Sequence, residues 1–133
     1  MNRPPPFPDA EEVLVNLLDG IGGGYACTAL PDEKEFDAKI PIIVCNRIGG
    51  GSSDGITDNA LCGVLVIHKT RGKAWVLAGE VRDAILSAGN TRVGGVLIDT
   101  TSETTGNQEV ADIDPDNRMV DSSFYLNFRR PRS

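Results

Sequence analysis

A chain of 133 residues, 40% hydrophobic and 24% charged, has the size and make-up of one soluble globular domain. Its net charge of −6 argues against nucleic-acid binding, because phosphate contacts need a basic face. No apolar run approaches the roughly 20 residues that a bilayer requires, so no membrane span is expected, and the opening MNRPPPFPDAEE does not read as a signal peptide.

Residues 1–7, MNRPPPF, are too proline-rich to fold alone and read as a flexible, extended arm ahead of a single domain over 8–130, with 131–133 as a short tail. Pro8 and Asp9 open a helix whose early acids, Glu11 and Glu12, suit the positive end of the helix dipole. Val13, Leu14, Leu17 and Leu18 form its apolar stripe, and Gly20 marks its end. A strand is expected around 24–30, a polar loop over 31–39, and a buried β-branched strand over 40–48.

The stretch RIGGGSSDGITD then reads as a flexible strand–strand loop over 49–59, followed by a strand over 60–68. Thr70 caps a helix over 70–88 with Ala74, Leu77, Ala78, Val81, Ala84 and Ile85 on one face, and Trp75 on the flank of that stripe as a core or interface anchor. VGGVLIDTTSET reads as one strand, TTGNQ as a turn, 108–113 as a short strand and DPDN as a second turn. In the last strand, 118–129, Phe124, Leu126 and Phe128 alternate with Ser123, Tyr125 and Asn127, which gives it one buried and one wet face. The expected fold is α+β, a mostly antiparallel five- to six-stranded sheet with two helices packed on one face. The other face must then meet water or another subunit.

No motif supports catalysis. Neither GIGGGY nor RIGGGSSDG has the lysine of a P-loop or the glycine spacing and strand–helix context of a dinucleotide site. Asp112, Asp114 and Asp116 begin like a calcium loop, but the required glycine is Asn117 and the last ligand position is Ser123. Cys27, Cys45 and Cys62 form no CxxC pair, and His68 is the only histidine, so no zinc site is expected. A Cys62–His68 couple on one strand would be roughly 20 Å apart. Asp54 and Asp58 have no apolar wall to separate their pKa values, and Arg47 is an ion-pair partner for one of them at the loop base. No catalytic residue, cofactor or metal is therefore assigned. The candidate interface loop is Arg47, Gly49, Gly50, Gly51, Asp54 and Asp58. The candidate partner-contact tail is Arg129, Arg130 and Arg132.

Taken together, FPDAEEVLVNLL, IPIIVCNRIGGGSSDGITD, AWVLAGEVRDAIL and PDN followed by SFYLNFRR resemble the tail-terminator (neck) proteins of bacteriophages with long non-contractile tails, especially those of actinobacterial hosts. The resemblance implies a structural virion protein made in the host cytoplasm. It implies a homo-oligomer, often a hexameric ring, that caps the tail tube protein, ends tail elongation and meets the head–tail connector protein. DNA would pass the channel without specific binding, which an acidic body favours by repulsion. Head–tail adaptors and stoppers of the neck are alternatives of similar length, and a small ligand-binding domain using the glycine-rich loops is a third.

Overall fold

A computed structural model describes residues 6–110, Asp116 and 118–130. Helix α1 (Ala10–Leu18) begins where Asp9 accepts hydrogen bonds from the backbone N–H of Glu11 and Glu12, and it buries Ala10, Val13, Leu14 and Leu18. A 3-10 turn at Ile21–Gly23 leads into the short strand β1 (Tyr25–Cys27). Helix α2 (Glu33–Lys39) follows, then the long hairpin of β2 (Ile42–Gly51) and β3 (Thr57–Ile67). Helix α3 (Arg71–Leu86) starts at Thr70, whose hydroxyl accepts from Lys73 N–H. Strands β4 (Thr91–Val93), β5 (Val96–Ile98), β6 (Thr100–Glu109) and β7 (Met119–Arg129) complete the chain.

The main sheet has the order β1-β2-β3-β7-β6. Its β1–β2 junction is parallel and the others are antiparallel. Register and burial assign each side chain to a face. On the first face Ile43, Cys45, Ala60, Cys62, Val64, Val66, Val120, Phe124, Leu126 and Phe128 are buried beneath α1 and α3. The expected α3 stripe is the observed one, with Ala74, Leu77, Ala78, Val81 and Ile85 buried and Ala84 partly so. Trp75 packs against the same core from the flank, with the Arg71 guanidinium over its ring.

Several expectations need correction. Residues 31–39 are not all loop: Asp32 caps α2 by accepting from Glu35 N–H, and Phe36 packs on Ile42, Val44 and Ile67. That places a third helix on the second face of the sheet. The sheet is mixed, because β1 joins β2 in parallel. VGGVLIDTTSET is not one strand. Gly94 and Gly95, both at positive φ, turn the chain into a separate β4–β5 hairpin, as paired left-handed residues do in two-residue turns. TTGNQ is no turn either. It continues β6, and two register shifts against β7, between Glu103 and Thr105 and between Thr105 and Gln108, absorb its irregularity. Gln108 and Glu109 of the expected 108–113 strand belong to the end of β6, while 111–113 and the DPDN turn apart from Asp116 lie outside the described residues.

Two ion pairs hold the edge strand β6 to α3. Arg71 meets Glu109 at 2.9 Å, and Arg82 grips both carboxylate oxygens of Glu103. The hydrogen bond from Arg82 holds the Glu103 carboxyl below its usual range.

Candidate functional site

The glycine-rich segment is the end of the β2–β3 hairpin. Gly49, Gly50 and Gly51 lie in β2 and pair with Leu61, Ala60 and Asn59, so the connecting segment shortens from 49–59 to 52–56. Strand pairing overrides the poor strand preference of glycine here. At Gly50 the backbone demands it, since φ is +87° and a Cβ would lie 1.9 Å from the Asn59 carbonyl oxygen. The register shifts between Arg47 and Gly49, and Ile48 is left 60% exposed beside Gly63.

Arg47 fixes the hairpin from the side. Its Nη1 and Nη2 donate to the two carboxylate oxygens of Asp58 at 2.6 and 2.8 Å, and its Nε donates to the Gly49 carbonyl at 3.0 Å. Asp58 is only 4% exposed, so this bidentate pair satisfies a buried charge. The expected role of Arg47 as an ion-pair partner is therefore observed, with Asp58. Glu11 adds a second clamp by accepting from Arg47 N–H at 2.8 Å, which ties α1 to the free edge of β2. At the tip, Asp54 accepts from the N–H groups of Ile56 and Thr57 at 2.8 and 2.9 Å. These donors, Thr57 first, hold its carboxyl below the usual range. Both aspartates are thus held in structural contacts.

The basic end of the chain meets the same tip. Arg130 Nε donates to the Gly55 carbonyl at 2.8 Å, Arg130 N–H donates to the Ile56 carbonyl at 3.2 Å, and its guanidinium lies 4.1 Å from the Phe7 ring centre. Arg129 faces Asp99 at 3.6 Å. Arg132 lies outside the described residues. Arg130 thus joins the two groups of candidate residues, and Phe7, from the expected arm, packs against it. Nothing in the sequence signals this contact, because the three segments are remote in the chain.

Among the described residues, the second face of the sheet is covered only at one corner, where α2 meets Ile42, Val44 and Ile67. Beyond that corner the cross-strand pairs Asn59–Asn127, Leu61–Tyr125 and Gly63–Ser123 carry no charge, and Thr100 and Ser102 of β6 extend the neutral surface opposite Asn127 and Tyr125. A shallow groove of about 370 Å³ runs here, lined by Gly50, Gly51, Asn59, Ser102, Tyr125 and Asn127. The charged residues come at the margins, with Asp121 opposite Leu65 at one end and Arg129 opposite Thr57 at the other. The signal for this face was in the sequence, in the wet positions of the last strand. Its neutrality emerges only when β3 and β6 are laid beside β7.

The remaining candidates are structural. Cys45 and Cys62 are buried on the first face, and burial pushes their thiols up to about 12 and about 11, away from nucleophilic thiolates. His68 follows the end of β3 and its Nδ1 accepts from Lys69 N–H. Among the described residues no cluster of His, Cys, Asp or Glu is arranged to hold a metal, and no helix is long and apolar enough to cross a membrane. Asp112 and Asp114 lie outside the described residues.

Residues 6–133 match the family model for phage tail termination proteins. The chain belongs to that family. Comparison with curated proteins returns no match. The family model takes in α1, the whole sheet and the basic end, so the resemblance read from the sequence and the family agree over nearly the full chain. Tail termination is a structural task carried out in the virion. For a tail termination protein, the hairpin end and the open sheet face are surfaces to be read for contacts.

Proposed function

We propose that this tail termination protein assembles as a ring, of six copies as the resemblance implies, on the end of the tail tube. The ring stops tube growth and presents its opposite surface to the head connector. The observation that carries this reading is the half-open sheet. Among the described residues, three helices cover one face and a corner of the other, and leave a broad face and the edge strand β6 available to a neighbour. Identical subunits that join through two different surfaces close into a ring when the rotation fits.

The hairpin end supports a role as the neck contact. Arg47, Gly49, Gly50, Gly51 and Asp58 form its braced base, Asp54 shapes its tip, Arg130 contacts that tip, and Arg129 and Arg132 flank it in the sequence. A braced hairpin can present Ile56, which is 61% exposed, without a large ordering cost. The acidic body, with a sequence pI near 4.7, suits a passage through which DNA moves without adhering.

The test is a phage with this gene deleted. It should yield separate filled heads and tails of uncontrolled length, and complementation should restore virions. Intact virions with tails of normal length would refute the reading. Tails of normal length that fail to join heads would assign the protein to adaptor or stopper function.

A further inference from the structure

We infer that the neutral centre of the second sheet face is where a second copy of this chain docks; the inference rests on the ring reading and names the surface that builds it. Each copy carries a net charge of −6, so copies repel wherever acidic surfaces are brought together. The centre of this face avoids that repulsion, because its exposed and half-buried positions bear no charge while Asp121 and Arg129 stand at the margins. Neutrality at the contact is the condition that the chain's own charge sets on docking between copies.

The composition also fits an interface core, where charged residues are depleted and tyrosine is enriched. Ile48, Leu61 and Tyr125 offer apolar area. Asn59, Asn127 and Ser102 offer donors and acceptors beside them, around the shallow groove. The face is also held rigid. β3 and β7 pair along their full lengths, Arg47 and Asp58 brace one side, and Arg82 ties β6 to α3 on the other. A rigid surface loses little entropy on docking.

Ser102→Asp and Tyr125→Asp place an acid at the centre of this face, and Ser102→Lys places a base there. Val76→Asp, on the outer side of α3 where Val76 is 65% exposed, is the control. Oligomeric state is read by native mass spectrometry in solution and by electron microscopy on purified tail tubes, with thermal melts to confirm folding. Wild type and Val76→Asp should assemble. Ser102→Asp should weaken assembly at least tenfold with an unchanged melt, and Ser102→Lys should weaken it less, an asymmetry that a simple packing defect would not produce. Should Tyr125→Asp melt early, the two Ser102 variants decide alone. Face variants that assemble like wild type would overturn this inference and leave the ring standing. Face variants that still form rings but no longer bind tubes would give the face to the tube protein and overturn it too. Wild type that stays monomeric both in solution and on tubes would refute the ring itself.

Discussion

Gly50 carries the sharpest constraint at the residue scale. Its positive φ and the nearby Asn59 carbonyl leave no room for a β-carbon, whereas a Cβ at Gly51 would meet nothing within 4 Å. Gly50→Ala should therefore cost more than about 2 kcal/mol in chemical denaturation, because a strained backbone and a clash combine. Gly51→Ala should fall within about 0.5 kcal/mol of wild type, as surface changes usually do. Equal costs at the two positions would show that the hairpin end is as loose as its composition suggests. The three glycines read alike in the sequence. Only the ladder with β3 separates one that is required from one that is tolerated. Arg47 was legible as an ion-pair residue, since a lone arginine at the base of an acidic loop has few other partners. Its choice of Asp58 depends on a strand register that no local pattern encodes.

At the scale of the element, legibility followed periodicity. α1 and α3 were readable because capping residues and apolar stripes coincide, and the strand cores of β2, β3 and β7 because β-branched and alternating apolar residues mark them. α2 is hard to read because PDEKEFDAK has a single large apolar residue, Phe36, so no stripe forms. Its sign was the cap, Asp32 with Glu35 three residues on. The β4–β5 hairpin is hard to read because its strands are short and the apolar residues run on either side of Gly94 and Gly95 like one strand. The α3 stripe leads to a direct check. Leu77 and Val81 are 3% and 1% exposed against the sheet. Leu77→Ala and Val81→Ala should each cost about 1–4 kcal/mol in equilibrium unfolding, through lost burial and residual cavity. Val76→Ala, on the outer side, should change stability by less than about 0.5 kcal/mol.

At the scale of the whole molecule, the described residues concentrate packing on one side of the sheet and leave most of the other uncovered. The expected α+β layers and the open face were legible because two apolar stripes can cover only one side of a sheet that wide. The joining of three remote segments at the hairpin tip was not. That junction has a consequence for how the chain can be rewired. The Arg130 guanidinium lies 4.1 Å from the Phe7 ring, so the backbones at these two residues are separated by no more than the combined reach of the two side chains. A spacer of about six residues, reaching up to ~20 Å, is ample to splice Arg130 to Phe7. The polypeptide can then be cut open at the Gly94–Gly95 turn, an exposed bend between two short strands. Such a circular permutant should keep the wild-type far-UV circular dichroism and a single cooperative melt, as domains with adjacent ends do. A broad, non-cooperative melt would show that continuity through Gly94 and Gly95 is needed for folding. A permutant that folds would move both covalent ends to the β4–β5 turn, leaving the hairpin tip and the neutral face unencumbered for labels, tethers or fused domains.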